Sequence, residues 1–219
     1  MINSPANLRY FKYPRTYHLP WSPGATQDDK IIASIEYFCG KEVIVTEKLD
    51  GENSSIYCGH THARAIDSAH HPSRAWIKDL WGRIRHKIPQ GWRICGENMY
   101  AKHSILYHSL TTYFYVFAVY DEANICLSWD DTVLVSAELE LETVPVLYRG
   151  MWDEKAIKAC WTGKSVFNGE QEGYVVRSVS AFPHTKVFMD CVAKYVRAGH
   201  VDLGSQHWMS QVVVPNFLK

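Results

Sequence analysis

The sequence predicts an α+β fold in which antiparallel sheets are flanked by a few helices. Two observations predict this class. Segments rich in β-branched and aromatic residues outnumber segments with helical periodicity, and the two kinds do not alternate strictly along the chain. The 219 residues contain no repeat, no low-complexity segment and no stretch with the composition of a linker. We therefore expect residues 1–219 to form one domain, with a short extension after about residue 198.

The first half of the chain contains a strand, a tight turn and a returning strand. Pro14–Asp29 is typical of a loop because of its proline and glycine breakers. Glu42–Lys48 is rich in β-branched residues, which favours a strand. Leu49–Asn53 contains Asp and Gly and predicts a turn, so we expect Ser54–Cys58 to return as the second strand of a hairpin.

Helices are expected in three places. Ser73–Lys87 has a serine as its N-cap, apolar residues at helical spacing, and Pro89 just beyond its end. Ser128–Glu142 begins with a serine that is followed three residues later by an aspartate, which resembles a capping box. Asp153–Cys160 is a third, short helix. Further strands are expected at Trp92–Gly96, Tyr113–Tyr120, Gly173–Ser178 and Val187–Val196.

Composition and charge limit the classes of protein that this chain can represent. Lys+Arg and Asp+Glu both number 23, so nucleic acid would have to be bound by a local basic patch and not by overall charge. No apolar run approaches the roughly 20 residues that span a bilayer, and the first residues lack a signal-peptide pattern. We expect a soluble, cytoplasmic protein that makes no use of a membrane. The six cysteines include no close pair, so we expect reduced thiols and no structural zinc site.

The segment Thr46–Asn53 carries the clearest chemistry. Lys48 ends a hydrophobic strand just before a turn with Asp and Gly, which presents its amine from a rigid base. An amine is nucleophilic only when it is deprotonated, and its pKa in water is about 10.4. Desolvation or a neighbouring cation can lower that pKa toward neutrality. Taken alone, the same residues also fit a hairpin with an ordinary surface lysine.

Four downstream motifs favour the catalytic interpretation. Lys48–Gly51 resembles the nucleophile motif of covalent nucleotidyltransferases, the superfamily of polynucleotide ligases and mRNA capping enzymes. Other motifs of that superfamily follow in the same order and at plausible spacing. They are the third motif at Gly96–Tyr100, an aromatic strand at Phe114–Asp121, the fourth motif at Glu172–Arg177 and the fifth at Val192–Arg197.

The residues at particular positions of these motifs resemble those of the ATP-dependent RNA ligase family. Glu47, directly before the lysine, resembles the adenine-reading position of that family. Asn53, five residues after the lysine, matches an asparagine that is typical of it. Gly96–Ser104 is also more similar to the third motif of RNA ligases than to that of DNA ligases.

The resemblance implies a role for each remaining site residue. Glu97 would contact the ribose and Phe117 would stack on adenine. Glu172, with Glu97 as a second carboxylate, would hold Mg²⁺ or Mn²⁺, since these hard ions prefer carboxylate oxygen. Lys194 would contact the α-phosphate.

Three basic positions depart from the family pattern or leave it ambiguous. Val196 stands where the fifth motif usually has a second lysine, so Arg197 is the candidate for that charge. Arg64 and Arg74 both remain candidates for the arginine that follows the nucleophile turn.

A basic segment offers a candidate surface for nucleic acid. The helix expected at Ser73–Lys87 carries five basic side chains against one acid, Asp79, and could contact phosphates or simply face solvent. The basic residues are Arg74, Lys78, Arg83, Arg85 and Lys87.

The function implied by the resemblance is ATP-dependent ligation of nicked or broken RNA through a lysyl–AMP on Lys48 and an adenylylated 5′ end. The fold implied is a ligase-type nucleotidyltransferase domain. It would lack an OB-fold, because only about 22 residues follow the fifth motif. A DNA nick ligase, a capping guanylyltransferase and a non-catalytic scaffold of the same fold are the alternatives. Activity on RNA-ended against all-DNA nicks would distinguish a DNA ligase, and use of GTP against ATP would distinguish a capping enzyme. A scaffold would be marked by loss of the nucleophile or of a metal carboxylate. Whether a separate end-healing kinase or phosphatase prepares the ends is left open by the sequence.

Overall fold

The computed structural model describes residues 10–199 and 212–219, and the strands in these ranges form two sheets. The strands are β1 (Tyr17–His18), β2 (Glu42–Lys48), β3 (Glu52–Ile56), β4 (Thr61–Ala63), β5 (Arg93–Asn98), β6 (Phe114–Tyr120), β7 (Ile125–Cys126), β8 (Glu142–Thr143), β9 (Val146–Met151), β10 (Gly173–Ser178), β11 (Phe182–Pro183) and β12 (Val192–Val196). The α-helices are α1 (Ala75–Ile84), α2 (Trp129–Glu138) and α3 (Glu154–Ala159). Short 3₁₀ helices cover Ile35–Tyr37, Pro72–Arg74, Arg85–Lys87 and Lys186–Asp190.

The sheets are mainly antiparallel, which confirms the predicted α+β class. The first sheet has the order β1-β12-β10-β2-β9, and the second has the order β11-β7-β6-β5-β3-β4 with β8 beside β6. Parallel pairing joins only β1 to β12 and β6 to β8 among the strand pairs of the described ranges. The first sheet therefore gathers strands from both ends of the described chain.

The core consists of layers between and outside the sheets. Ile44 from β2, Tyr115 from β6 and Trp129 from α2 pack together where the two sheets face each other. On the outer side of the second sheet, the buried face of α1 packs on Ile94 of β5. On the outer side of the first sheet, Ile157 of α3 packs in the same way. Each sheet is thus covered on its outer face by a helix.

The predicted hairpin that pairs Glu42–Lys48 with Ser54–Cys58 is wrong. β2 matches the prediction, but it is hydrogen-bonded to β10 on one side and β9 on the other, so no edge is left for β3. β3 instead pairs with β4 and β5 in the second sheet. The turn at 49–51 therefore crosses from one sheet to the other, and it places the end of β2 at the junction between them.

The predicted helices are present but begin or end elsewhere in two cases. Ser73 is not the cap of α1: it lies in a 3₁₀ turn, and its amide donates to the His71 side chain, which caps that turn. Ser128 does cap α2, as predicted, by accepting a hydrogen bond from the Asp131 amide. α2 then stops short of Glu142, because Glu140 adopts a left-handed φ of 58° and the chain turns into β8. α3 agrees with its prediction.

The strand predicted at Val187–Val196 is wrong in its first half. Thr185 caps a 3₁₀ helix there, and the strand begins only at Val192. Six strands were not predicted: β1, β4, β7, β8, β9 and β11. Most of them have only two or three residues, too few to produce a periodic pattern.

Residues 212–219 return to the body of the protein and lie along the segment between β5 and β6. Pro215 bridges to Ala101, and Leu218 bridges to Leu110. Most of the predicted C-terminal extension, residues 200–211, lies outside the described residues, as do residues 1–9.

All six cysteines are free, and three of them are buried, namely Cys95, Cys126 and Cys191. None of the helices within residues 10–199 and 212–219 has the length and hydrophobicity needed to cross a membrane.

Truncation of the core beneath α1 should unfold the protein more easily. Ile94 is fully buried between β3 and β6, so we expect Ile94→Ala to lower the free energy of unfolding by about 2–5 kcal/mol. Leu134→Ala on the exposed side of α2 is the control, since that side chain is 62% exposed, and it should change stability by less than about 0.5 kcal/mol. Urea unfolding measures both values. Equal losses for the two variants would contradict the assigned core.

Candidate active site

A cleft of about 840 Å³ opens between the two sheets. β2, β10 and β12 line it from the first sheet, and β3, β5 and β6 line it from the second. It gathers most of the side chains that the sequence predicts for a site: Glu47, Lys48, Asn53, Arg64, Arg74, Glu97, Phe117 and Lys194.

Lys48 lies at the end of β2 with 26% of its side chain exposed. Its ammonium nitrogen donates hydrogen bonds to both carboxylate oxygens of Glu172, at 2.7 and 2.6 Å. Glu172 immediately precedes β10, and the register places Lys48 opposite the next residue, Gly173. A Cβ on Gly173 would lie 1.9 Å from the Tyr195 carbonyl oxygen, so only glycine lets β10 lie this close to β12. The backbone thereby fixes where Glu172 meets Lys48.

Two further carboxylates, Glu97 and Asp50, lie near the ion pair of Lys48 and Glu172. Burial raises the pKa of Glu97, on β5, to about 8, and the negative charges of Glu172 and Asp50 add to the effect. Burial likewise raises the pKa of Glu172 to about 7, despite the opposing charge of Lys48. Burial alone would lower the pKa of Lys48, but Glu172 and Glu97 outweigh it and raise that pKa. Lys48 is therefore protonated at neutral pH in this arrangement.

Asp50 secures the turn that follows Lys48. Its Oδ2 accepts hydrogen bonds from the Ser104 amide (2.8 Å), the Ser104 hydroxyl (2.6 Å) and the Ile105 amide (2.8 Å). Its own amide donates to the Tyr107 hydroxyl at 3.0 Å. The next residue, Gly51, has no room for a Cβ, which would lie 2.6 Å from the Asn98 carbonyl oxygen. Asp50 thus orients the turn from its far side, a role that the sequence alone did not specify.

Glu47 and Asn53 each present a buried acceptor to the cleft. Glu47 is 1% exposed, and one of its oxygens accepts a hydrogen bond from the Val166 amide at 3.1 Å. The other oxygen, and the amide oxygen of Asn53, have no hydrogen-bond partner among the described residues. Burial raises the pKa of Glu47. A buried acceptor without a partner is costly, so both oxygens are suited to a donor supplied by a ligand.

Two aromatic side chains, Phe117 and Tyr13, line the same cleft. Phe117 on β6 is partly buried, and its ring meets Tyr13 edge-on with 4.9 Å between centroids. Tyr13 also packs on Phe188 at 5.4 Å and lines the cleft. The sequence predicted Phe117 but not Tyr13, because an isolated tyrosine ahead of the first strand belongs to no periodic pattern.

Lys194 supplies a second amine to the cleft. It lies on β12, opposite Val175 of β10. Burial lowers its pKa to about 8, and the positive charges of Lys48 and Arg64 contribute. Arg64 is exposed and lines the same cleft.

The two arginine candidates have different environments. Arg74 is buried, and its Nε donates to both carboxylate oxygens of Glu52 at 2.8 and 3.0 Å. Its Nη1 also donates to the Ala69 carbonyl at 2.5 Å. Arg74 therefore ties the segment before α1 to β3, whereas exposed Arg64 can turn toward a phosphate.

Arg197 does not reach the cleft. Side chains alternate along β12, so Val192 and Lys194 line the cleft while Arg197 does not. Its Nη2 instead pairs with Glu170 at 2.9 Å, and its amide donates to the Glu172 carbonyl at 2.9 Å. The structure thus separates Arg197 from the other predicted phosphate contacts.

The basic helix is partly neutralised. Arg74 is buried and so does not belong to an exposed face. Arg83 pairs with Asp79 at 3.7 Å, and Lys87 pairs with Glu140 at 2.8 Å. The two other exposed cations of the predicted surface are Lys78 and Arg85. The Lys78 amine lies 3.1 Å from the His70 ring, and the Arg85 guanidinium lies over the Trp81 ring, 4.7 Å from its centroid. The helix remains a candidate nucleic-acid surface, with a smaller positive charge than its sequence suggests.

Three further charged side chains line the cleft. Arg15 and Asp29 form an ion pair at 3.0 Å, and no local signal distinguishes this arginine from a surface arginine, because its partner is remote in sequence. Arg177, the last residue of the fourth motif, is buried and donates to the carbonyls of Phe117 (3.2 Å) and Leu127 (2.7 Å).

Comparisons with known proteins identify the fold and the family. No curated protein sequence matches the chain. The fold is similar to that of a Naegleria gruberi RNA ligase mutant solved with ATP and Mn (TM-score 0.55, 19% identity, covering 76% of this chain and 52% of that one). It is also similar to an archaeal ATP-dependent RNA ligase (TM-score 0.54, 19% identity, covering 85% and 48%). The Naegleria gruberi RNA ligase solved with PPi has a TM-score of 0.54 at 18% identity, covering 89% and 60%.

The chain spans about half the length of the first two of these structures, and their low identity establishes the fold alone. The family is established separately, from the sequence. A family model described as RNA ligase matches residues 41–196, which is more than half of the chain and contains every motif from Lys48 to Lys194. The chain belongs to the RNA ligase family.

Proposed function

We propose that this protein is an ATP-dependent RNA ligase in which Lys48 becomes covalently adenylylated. The observation that carries the proposal is the position of Lys48, which ends a central strand in a cleft beside two carboxylates, buried Glu172 and partly buried Glu97. Lys194 adds a cation with a lowered pKa to the same cleft. Family membership supports the reaction class.

The first chemical step forms a phosphoramidate bond between Lys48 and AMP. The Lys48 nitrogen attacks the α-phosphorus of ATP, the bond to the bridging oxygen breaks, and pyrophosphate leaves. Such in-line transfer depends on positioning and on charge neutralisation. Lys194 and Arg64 are the cations available for the phosphate oxygens, since Arg197 and Arg74 are committed elsewhere.

Lys48 must lose a proton before it can attack. Its hydrogen bonds to Glu172 and the nearby negative charge of Glu97 hold that proton, as the raised pKa indicates. These carboxylates also suit a hard divalent cation, which magnesium-type sites bind through one or two carboxylates plus substrate phosphates. Within the described ranges no cluster of three or more His, Cys, Asp and Glu side chains could hold a metal, which fits a site completed by phosphate. Mg²⁺ or Mn²⁺ held there would supply positive charge that favours the neutral amine.

The nucleoside has a matching environment. The face of Phe117 offers a stacking surface, and the free oxygens of Glu47 and Asn53 can accept hydrogen bonds from ligand donors. An adenine amino group is such a donor, whereas guanine presents a carbonyl at the equivalent position. We therefore favour ATP over GTP. That solved RNA ligases of this fold include complexes with ATP and Mn agrees with this choice.

The remaining steps would use an RNA end. AMP passes from Lys48 to a 5′-phosphate, and a 3′-hydroxyl then displaces AMP to form the phosphodiester. Ends of this kind require prior healing whenever breakage leaves other groups, so a separate kinase or phosphatase would be a natural partner. The exposed cations on α1 and after it (Lys78, Arg83, Arg85 and Lys87) are the proposed contacts for RNA phosphates.

Incubation with ATP and Mg²⁺ or Mn²⁺ should add one AMP to the protein. Intact-mass measurement should show the adduct on wild type and not on Lys48→Ala, and excess pyrophosphate should remove it by reversing the step. GTP should give little adduct. A folded wild-type protein, free of pre-bound AMP, that gains no mass with either nucleotide would refute the catalytic proposal.

Removal of the Glu172 charge should impair both metal binding and adenylylation. We expect Glu172→Gln to slow adduct formation about 100-fold or more and to abolish the rise in melting temperature caused by Mn²⁺. Glu170→Gln is the matched control, because that side chain lies two residues away and is 69% exposed. It should leave both measurements close to wild type. Equal behaviour of the two variants would contradict the metal role of Glu172.

Replacement of Arg64 and replacement of Arg74 should have different effects. Arg64→Ala should slow adduct formation about 10- to 100-fold with little change in stability, since an exposed cation is lost from the phosphate site. Arg74→Ala should lower the free energy of unfolding by about 3–5 kcal/mol, because it leaves the buried carboxylate of Glu52 unpaired. Single-turnover kinetics and urea unfolding on both variants check the assignment. A stable Arg74→Ala protein with slow chemistry would reverse it.

A further inference from the structure

The C-terminal residues 212–219 clasp the segment that connects β5 to β6. Backbone amides and carbonyls alternate along the contact: Lys102 donates to Val214 (2.7 Å), and Leu110 donates to Phe217 (3.0 Å). In the other direction, Phe217 donates to the Tyr107 carbonyl at 2.9 Å. This tail is therefore integrated into the fold and does not merely lie on its surface.

Asn216 is the polar centre of the clasp. It is 2% exposed, its side-chain oxygen accepts from the Tyr107 amide at 2.9 Å, and its side-chain nitrogen donates to the Met99 carbonyl at 2.7 Å. The Tyr113 hydroxyl donates to the Asn216 backbone carbonyl at 3.0 Å. By contrast, four apolar side chains of the tail, Val212, Val214, Phe217 and Leu218, are about half exposed or more. The side-chain hydrogen bonds that hold the tail to the rest of the protein are thus concentrated at Asn216.

The segment held by Asn216 is the same one that holds the turn after Lys48. Tyr107 is fully buried and accepts the Asp50 amide through its hydroxyl, while Ser104 and Ile105 donate to the Asp50 carboxylate. One side of the segment therefore contacts the turn, and the other side contacts the tail. A continuous path of hydrogen bonds runs from Asn216 through Tyr107 to Asp50, two residues from Lys48.

We propose that Asn216 is a positioning residue for the attack of Lys48, and that it acts through Tyr107 and Asp50. This inference rests on the proposed function. In-line attack requires the amine within about 3–3.5 Å of phosphorus, and a displacement of about 1 Å can slow such a step about 100-fold. Asn216 does not line the cleft, so its loss would disturb the geometry of attack without removing a contact to nucleotide.

The first test separates positioning from general stability. Asn216→Ala should slow single-turnover formation of the lysyl–AMP about 10- to 100-fold at saturating ATP, with the ATP concentration for half-maximal rate unchanged. Phe217→Ala is the matched control: it removes the stack on His108 in the same tail but keeps the backbone bond to Tyr107. It should leave the rate within about twofold of wild type. Equal rates for the two variants, on folded protein, would overturn the proposal.

A double-mutant cycle tests the path itself. Tyr107→Phe removes only the hydroxyl that accepts the Asp50 amide. If Asn216 acts through this hydroxyl, the double variant Asn216→Ala/Tyr107→Phe should be slowed much less than the product of the single effects. Multiplicative losses would show that Asn216 acts independently of Tyr107 and would also overturn the proposal.

Amide hydrogen exchange tests the connection between Asn216 and the turn at 49–51 without a measurement of activity. Asn216→Ala should increase exchange both in the segment 99–110 and at the turn 49–51, whereas Phe217→Ala should leave the turn protected. An unchanged turn in Asn216→Ala would refute the connection. If wild type forms no adduct, the proposed function fails, and this measurement still determines whether Asn216 positions the turn.

Discussion

Lys48 and Glu172 meet where β2 and β10 lie side by side, and both charges are largely withdrawn from water. Removing an ammonium and a carboxylate from water costs several kcal/mol each before their attraction offsets the loss. A protein that needed only stability could replace such a pair with apolar side chains. The proposed adenylylation gives a reason for the pair, because that reaction needs a lysine whose pKa depends on its neighbours. The close approach of β10 to β12 at Gly173 sets the register that makes the contact.

The second sheet completes what the first begins. Glu97 and Phe117 come from β5 and β6, whereas Lys48, Glu172 and Lys194 come from the first sheet or its edge. The turn at 49–51 links the two groups, and Asp50 fastens that turn to the segment before β6. The cleft is thus defined by how the sheets face each other. A ligand there would contact both sheets at once, so binding would stabilise their relative position.

Five of the residues that the sequence proposes for a site come together in the structure, and each is tied to local order. Lys48, Glu97, Phe117 and Lys194 lie on recognisable strands, and Glu172 immediately precedes one. Arg197 was misplaced because its role depends on the side to which a strand end points. The hairpin was wrong because strand pairing is decided by which edges remain free, a property of the whole sheet.

Tertiary contacts explain the other omissions. Arg15, Tyr13 and Asn216 acquire meaning only from partners far along the chain, and short strands such as β1 exist only because β12 provides their hydrogen bonds. Local propensity carries no signal for such residues.

The parallel pairing of β1 with β12 also has a consequence for biosynthesis. The first sheet needs strands from Tyr17 to Val196, so its contacts have a large sequence separation and close slowly. During translation, β2 emerges with Lys48 at its end well before β10 and β12, since Lys48 and Glu172 are 124 residues apart. The hydrophobic edge of β2 that pairs with β10 therefore stays unpaired while the intervening residues are made. A nascent chain of this kind exposes strand edges that chaperones recognise, and Lys48 has no carboxylate partner until Glu172 and β10 emerge.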